Sequence, residues 1–291
     1  MTTASLDIPR TRRTSVRYRI TATRVTAALG TFFVLGLVFT AIFAPLLSPY
    51  DPAERVARPF LPPNADHALG TNDIGQDILS ELIFGARISL IVGITAGLIT
   101  VLIGTTVGLL AGYYPRLGSV LMRVTDLILV LPFLPLLIIL AAYLGRGLFN
   151  TVMIIGLLVW AGTARVIRSQ VLTLVQQDFV LAAKALGATN GHIILRHILP
   201  QVLLLAVSEL VQATGNAILL EAALSFLGLG DPLQKSWGTV LYWAQVRGAF
   251  LSPAWLWWVL PPGLLISIST LGFAMIGFAM EQVLNPRLRT K

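Results

Sequence analysis

Cysteine is absent from this sequence, and charge is scarce. Without cysteine the chain can form no disulfide, no thiolate metal site and no catalytic thiol. Charged residues make up 12% of the 291 residues, hydrophobic residues make up 56%, and the mean hydropathy is +0.81. A soluble globular domain is far less apolar, so this composition predicts a protein that crosses a membrane several times.

Histidine is also rare, and the motifs of common enzyme sites are missing. The three histidines, His67, His192 and His197, are too scattered along the sequence to indicate a metal cage. No Gly-Lys dipeptide occurs, so there is no Walker A loop, and the serine-hydrolase, zinc-protease and Rossmann motifs are absent as well. We therefore predict a non-catalytic chain without a cofactor or metal of its own, with any ATP and Mg²⁺ held by other chains.

Six apolar runs are long enough to cross a bilayer, which takes about 20 helical residues. They cover residues 25–47, 88–112, 124–144, 151–172, 201–227 and 255–280. The first run exceeds the apolar core of a signal peptide, about 7–15 residues, which disfavours the alternative of a cleaved or twin-arginine signal at Arg12-Arg13. The pattern predicts an all-α polytopic membrane protein with six transmembrane helices.

Lysine and arginine are concentrated on one side of these runs. With both termini on the same side of the membrane, 15 of the 21 fall on that side, in the terminal segments, in the connection after the second run, and at the end of the fourth run and in the connection after it. The other six fall on the opposite side. Because cytoplasmic segments carry the basic excess, both termini are expected in the cytoplasm, and the net charge of +8 indicates membrane topology rather than nucleic-acid binding. The predicted segments are a basic cytoplasmic arm (1–24), a first transmembrane helix (25–47), an extracytoplasmic loop (48–80), a core of five transmembrane helices (81–284) and a cytoplasmic tail (285–291).

A mostly polar stretch, residues 173–200, separates the fourth apolar run from the fifth. Asp178 is a good N-cap, the alanines after it favour helix, and Gly187 can adopt the left-handed conformation that ends a helix. Thr189 or Asn190 can then cap a second short helix. Residues 178–200 are therefore predicted to form a helix–turn–helix, which we call the elbow, on the cytoplasmic side of the membrane.

The elbow resembles the cytoplasmic EAA loop of ABC importer permeases. Ala182-Ala183 is followed four residues later by Gly187, and the stretch ends in Leu199-Pro200, whereas the family's leading Glu is replaced by Leu181. In that family the loop docks a short coupling helix into a groove on the ATPase subunit; a surface hairpin without a partner is the alternative. The resemblance implies an ATPase-coupling role for Asp178, Ala182, Ala183, Gly187, His192, Arg196, His197, Leu199 and Pro200.

Two further stretches resemble the C-type permease subunits of dipeptide, oligopeptide and nickel importers. One is residues 67–77 leading into residues 84–90, and the other is residues 221–238. Glu221-Ala222-Ala223, within the second, looks like another EAA signal, but its Gly stands at the wrong offset and no Leu-Pro follows. We therefore assign Glu221 no coupling role.

The first of these stretches also places acids near a histidine. Thr71 is predicted to cap a helix, and Asp73 and Asp77 would lie near the helix N-terminus, where the helix dipole favours a negative charge. A metal site made of His67, Asp73 and Asp77 is the alternative, but it would need complete coordination shells. We expect capping.

Glycine, proline and acid positions predict how the second and third helices pack. Glycines at four-residue spacing allow close helix contacts and place the second helix at the centre of the bundle. These are Gly93, Gly97, Gly104, Gly108 and Gly112. In the third run, Arg123 and Asp126 are expected to form an ion pair, and Pro132 and Pro135 are expected to bend the helix.

The fifth run is the most polar of the six. At 100° per residue, Ser208, Glu209, Gln212 and Asn216 fall within an arc of about 100°. This face either lines a translocation path or packs against another helix or subunit. Glu209 is a candidate functional acid, although snorkelling to the interface or pairing with an arginine would also explain it.

The resemblance covers residues 60–289 and implies a type I ABC importer permease bundle in the bacterial inner membrane. The expected partners are a second, B-type permease subunit, two ATP-binding-cassette ATPase subunits, an extracytoplasmic solute-binding protein and the lipid bilayer. Peptides are the leading substrate class, with nickel chelates, glutathione or another small solute as alternatives. The alternative class is a self-sufficient secondary transporter or channel, which would need coupling acids at the membrane midplane and usually an inverted repeat.

Overall fold

The computed structural model describes residues 12–284 of the chain, with side chains described for residues 23–282. The regular elements within this range are helices, and the β-structure there is a single isolated bridge between Thr71 and Asp77. The helices are α1 (Arg12–Ile42), α2 (Ala44–Leu47), α3 (Ile78–Tyr113), α4 (Pro115–Val130), α5 (Phe133–Leu144), α6 (Leu148–Val175), α7 (Asp178–Ala185), α8 (Asn190–Ile193), α9 (Leu199–Phe226), α10 (Trp237–Val246) and α11 (Leu260–Leu284). Residues 1–11 of the predicted arm and the predicted tail, residues 285–291, lie outside the described residues.

The described helices confirm an all-α membrane bundle. Five segments are long and apolar enough to span a bilayer: Thr23–Ile42, Ile78–Tyr113, Leu148–Val175, Asn190–Phe226 and Trp255–Gln282. The helices α4 and α5 form a sixth span when they are counted together, although they are bent by 87° at the break between them. The predicted third span is therefore a broken helix.

Helix α3 lies at the centre of the bundle, as predicted, and it begins at residue 78 rather than 88. The first two of its glycines face α9, and the other three face α6. A Cβ atom added to any of the five would lie within 3.0 Å of atoms of those helices. Only glycine allows this approach, so the small faces bring α3 into close contact with two helices at once. The five are Gly93, Gly97, Gly104, Gly108 and Gly112.

The start of α3 corrects one capping prediction. Asp77 is the N-cap, and its carboxylate accepts a hydrogen bond from the Ser80 backbone N–H at 2.9 Å. The Thr71 hydroxyl instead donates to the Arg58 carbonyl at 2.7 Å and accepts from the Leu61 N–H at 3.0 Å. Thr71 thus holds two parts of the preceding loop together, because that loop folds back on itself before the helix begins.

The break in the third span lies at Leu131 and Pro132, which both have extended backbone conformations. Proline has no backbone N–H and clashes with a preceding helical carbonyl, so α4 ends here and the predicted bend is confirmed at Pro132. Pro135 lies in the first turn of α5, where a missing N–H costs no helical hydrogen bond. No bend is therefore expected from Pro135.

The expected ion pair between Arg123 and Asp126 is wrong. Asp126 Oδ1 accepts from Nη2 of Arg165 at 2.6 Å, and both side chains are more than half exposed. Arg165 lies on α6, which packs against α4, so a partner from a distant part of the chain replaces the neighbour three residues away.

The two ends of the bundle differ in structure. At one end, the loop of residues 48–77 packs against the region of residues 227–259, where Phe60 meets Trp258 edge to face at 5.8 Å between ring centroids. Trp237 is fully buried there, and its indole N–H donates to the Leu82 carbonyl at 3.0 Å. We call this the cap end. The opposite end, where α6 is connected to α9, holds the elbow.

Candidate functional site

The first helix of the elbow, α7, begins one residue earlier than predicted. Gln177 is the N-cap position and makes no side-chain capping bond, while Asp178 is the first helical residue. The prediction that Asp178 caps α7 is therefore wrong. The acid still stands in the first turn, where the helix dipole favours a carboxylate.

The turn of the elbow has the predicted glycine geometry. Gly187 has φ +81°, a left-handed conformation that costs glycine nothing and other residues about 1–2 kcal/mol. The N–H groups of Gly187 and Ala188 donate to the carbonyls of Lys184 and Ala183, each at 3.0 Å, and close the end of α7. Thr189 then caps α8, its hydroxyl accepting from the His192 N–H at 3.4 Å.

The second half of the elbow is not a separate short helix. From α8 the chain continues through a π-helical segment, Ile194–Ile198, into α9, so that Asn190–Phe226 forms one membrane-crossing helix. Pro200 lies in the first turn of α9, directly after this segment, and the altered hydrogen-bond register ahead of it accommodates the missing proline N–H. The predicted helix–turn–helix is thus a short helix and a turn followed by the end of the fifth span.

Buried apolar residues and one polar contact fasten the elbow to the bundle. Val180, Ile193 and Ile198 are fully buried in a cluster with residues of α3, α6 and α9. The Tyr113 hydroxyl, at the end of α3, donates to Asn190 Oδ1 at 2.8 Å. The elbow is therefore packed against the bundle and hydrogen-bonded to α3, the central helix. Local sequence patterns do not predict this contact, because the two residues are 77 positions apart.

The other face of the elbow is open and partly apolar. Asp178, Ala182 and Ala185, at i, i+4 and i+7, follow the exposed side of α7, and Leu181 and Leu186 stand beside them with 50% and 89% exposure. Four of the remaining predicted coupling residues are exposed: Gly187, His192, Arg196 and Pro200. The other three are half-buried: Ala183, His197 and Leu199. These positions form an exposed, partly apolar surface at the elbow end of the bundle.

Three of the four polar residues of the fifth span contact two different neighbouring helices. Ser208 is 1% exposed, and its hydroxyl donates to the Gly277 carbonyl of α11 at 3.2 Å. Gln212 is also placed against Gly277. Glu209 is half-buried and accepts from the Thr163 hydroxyl of α6 at 3.0 Å, and among the described residues no arginine pairs with it, which removes one of the three interpretations of this acid. Ser208 and Gln212 thus pack one helix against another.

Asn216 is the exposed member of this set, and it lies beside the break in the third span. It lines a cleft of about 360 Å³ formed by the ends of α4 and α5 together with α6 and α9. Its side-chain amide has no hydrogen-bond partner among the described residues. Of the four predicted path residues, Asn216 is the one with open space in front of it.

A buried acid at the cap end was missed by sequence reasoning. Glu221 of α9 is 3% exposed, and its carboxylate accepts from the hydroxyls of Ser225 and Ser236 at 2.6 Å each and from that of Ser89 at 3.4 Å. Ser89 lies on α3, and Ser236 caps α10. One carboxylate therefore joins three elements. The sequence signal for this role is a serine, Ser225, four residues after the acid, and this Glu–Ser spacing also occurs in ordinary helices.

A second buried acid, Glu81, joins the loop of residues 48–77 to the cap end. Its carboxylate is paired with the Lys235 ammonium, which also donates to Gln76 Oε1 at 2.7 Å, and it accepts from the Asn72 amide at 3.1 Å. Removing one partner of a buried charge pair costs several kcal/mol, so Lys235 and Asn72 stabilise the buried position of Glu81.

The three side chains of the alternative metal site do not converge. His67 Nδ1 lies 3.0 Å from Asp77 Oδ1, but Asp73 instead pairs with Arg247 Nε at 2.9 Å. Within the described residues, the structure groups no three His, Cys, Asp or Glu side chains as metal ligands. Asp77 lies at the N-terminus of α3, as expected, and it takes the capping position that was predicted for Thr71.

Comparison with known proteins gives the family. Residues 104–290 match the model of the binding-protein-dependent transport system inner membrane component, and residues 24–63 match the N-terminal TM domain of oligopeptide transport permease C. The chain is 39% identical over 270 residues to the di/tripeptide transport system permease protein DppC of Pseudomonas aeruginosa, covering 89% of this chain and 88% of that protein. It is 34% identical over 266 residues to the oligopeptide transport system permease protein OppC of Bacillus subtilis, covering 90% and 86%. This chain therefore belongs to the family of binding-protein-dependent transport system inner membrane components.

Proposed function

We propose that this chain is the C-type permease subunit of an ABC importer for dipeptides and oligopeptides. With a second permease it would form the translocation path, while separate ATPase subunits bind ATP and Mg²⁺. The proposal is supported by relatives, aligned over about nine tenths of the chain, whose names describe di/tripeptide and oligopeptide transport permeases. The observation that carries it is the anchored, open elbow, which offers a contact surface at one end of the bundle.

The elbow is suited to a partner with an apolar groove. The exposed side of α7 carries the small side chains of Asp178, Ala182 and Ala185, which would let a partner approach the helix closely. The flanking side chains of Leu181 and Leu186 add apolar area. With Leu181 in place of the family's Glu, docking to the ATPase would rest mainly on buried apolar area rather than on an ion pair.

The elbow end would then face the cytoplasm of a bacterium, together with both chain termini. The cap end would face outward, where the loop of residues 48–77 and α10 are available to a solute-binding protein. The distribution of lysine and arginine along the sequence supports this orientation, since 15 of 21 are predicted to lie on the cytoplasmic side.

Purification of the tagged chain from its own host in mild detergent tests the proposal. Mass spectrometry should recover a second permease and P-loop ATPases, and the reconstituted complex should take up peptides only with ATP and the binding protein. Recovery of the chain alone, with uptake that needs no ATP, would contradict the proposal and favour a secondary transporter.

A further inference from the structure

The break between α4 and α5 exposes irregular backbone at membrane depth. Leu131 and Pro132 leave the helical conformation, and both residues are exposed in the isolated chain. Among the described side chains, none caps the start of α5, so its first backbone N–H groups lack helical partners. Backbone of this kind does not face lipid; it lies against protein or lines a water-filled cavity.

The break opens directly onto the cleft that contains Asn216. Leu131 and Phe133 come from the break, Leu158 and Gly162 come from the middle of α6, and Leu219 lies one turn beyond Asn216 on α9. The cleft has a volume of about 360 Å³, and Asn216 is the polar residue among the described residues that line it. A largely apolar wall with one placed amide is typical of sites for small organic ligands.

We infer that this cleft is a subsite for an apolar side chain of the transported peptide. The leucine, valine and phenylalanine walls would take the side chain, while the Asn216 amide would hydrogen-bond the adjacent peptide group. A lipid acyl chain has no partner for that amide and none for the open backbone at Leu131, whereas a peptide satisfies both. The inference rests on the proposed function.

Gly162 offers a direct way to fill the subsite. A Cβ atom added at Gly162 meets no other atom within 4 Å, so a larger side chain can enter the cleft without displacing the backbone. Gly36 of α1 has equally free space and lies outside the cleft, which makes Gly36→Leu the matched control. Gly162→Ala provides an intermediate volume if Gly162→Leu does not assemble.

The experiment measures ATP-dependent uptake of dialanine and dileucine by the complete importer in proteoliposomes with its binding protein. Gly162→Leu should lower dileucine uptake relative to dialanine by about tenfold or more, as expected when an apolar pocket loses room for its ligand. Gly162→Ala should have a smaller effect in the same direction, and Gly36→Leu should leave the ratio unchanged. Asn216→Leu should lower the uptake of both dipeptides by a similar factor.

Several outcomes would overturn the inference. An unchanged ratio in Gly162→Leu, with the wild-type complex active, would reject the subsite alone. Loss of a co-purified phospholipid or of the partner permease from Gly162→Leu would assign the cleft to an acyl chain or to the subunit interface. Uptake of neither dipeptide by the wild-type complex would overturn the proposed function and the subsite with it.

Discussion

The carboxylate of Glu221 accepts hydrogen bonds from hydroxyl groups on its own helix α9, on α3 and at the N-cap of α10. Replacing it by alanine would leave the buried hydroxyls of Ser225 and Ser236 without their acceptor and would open a small void. We expect Glu221→Ala to lower the free energy of unfolding by about 2–3 kcal/mol. Glu221→Gln should cost less, because the amide oxygen still accepts both hydrogen bonds. Thermal unfolding in detergent measures the difference.

The control for this prediction is an exposed acid of the same type. Glu54 lies on the surface of the loop of residues 48–77, so Glu54→Ala should change the free energy of unfolding by less than about 0.5 kcal/mol. If Glu221→Ala is as stable as Glu54→Ala, the carboxylate does not hold the cap end together.

The missing cysteine makes single thiols informative in the fifth span. Asn216→Cys should react with a small polar thiol reagent, because Asn216 borders an open cleft, and Ser208→Cys should not react, because Ser208 is packed against Gly277. Labelling of membranes followed by mass spectrometry gives both rates. Equal reactivity would show that both positions face the same surroundings and would remove Asn216 from the candidate path.

Single residues show where sequence reasoning reaches its limit. The 100° spacing correctly grouped Ser208, Glu209, Gln212 and Asn216 on one side of a helix. It could not predict that the edges of this arc meet α11 and α6, because those neighbours lie dozens of residues away. The same limit explains Asp126, whose partner Arg165 is 39 residues distant, and Glu221, whose partner Ser89 is 132 residues distant.

The turn of the elbow can be tested at the level of one element. Gly187→Val forces a branched side chain into a left-handed conformation, which costs about 1–2 kcal/mol. A cost of 1.4 kcal/mol lowers an equilibrium constant tenfold, here the constant for forming the turn. If only the formed turn supports coupling, ATP-dependent uptake should fall by about tenfold while the protein still inserts. Uptake and membrane content of the variant are measured together.

Gly191→Val is the matched control for this substitution. Gly191 is exposed, lies four residues further on, and also has free space for a Cβ atom, but its backbone is helical. An equal loss of uptake in both variants would attribute the effect to crowding of the docking surface. Normal uptake by Gly187→Val would remove the turn from the coupling pathway.

The elements themselves were largely predictable from local signals. Thr189 caps α8 and Gly187 adopts the left-handed conformation, both as predicted. Capping and left-handed turns depend on only a few neighbouring residues, so the local sequence is enough to predict them. Pro200 lies in the first turn of α9, at the predicted boundary between the elbow and the fifth span. The π-helical segment directly before Pro200 accommodates the missing proline N–H. No sequence pattern predicts this change in the hydrogen-bond register.

The orientation of the whole molecule can be tested with two matched leucines. Leu186 at the elbow end and Leu233 at the cap end are both 89% exposed. In spheroplasts, a membrane-impermeant thiol reagent should label Leu233→Cys at once and Leu186→Cys only after permeabilisation. The reverse order would place the termini outside and contradict the proposed docking of ATPases.

The six-span bundle was predictable because hydropathy is a local property. Apolar runs of sufficient length have few alternatives to a transmembrane helix, and the glycines of the second run correctly indicated the central helix. The cap end was not predictable. Its network joins Glu81 to Lys235 across 154 residues, and such pairs appear only when the whole chain is folded.

The uninterrupted helix Asn190–Phe226 has a mechanical consequence. Its 37 residues make a rod about 55 Å long, with the docking surface at one tip and the Glu221 carboxylate close to the other. A tilt of about 5° about its middle would displace each tip by roughly 2.4 Å, in opposite directions. Glu221 lies about 20 Å from the middle of the rod and would therefore move by roughly 1.7 Å. Its 2.6 Å hydrogen bond from Ser236 cannot stretch that far, whereas Ser225 lies on the same helix and moves with it. If the elbow moves in this way, either Ser236 and α10 move together with the helix, or the hydrogen bond between Ser236 and Glu221 breaks.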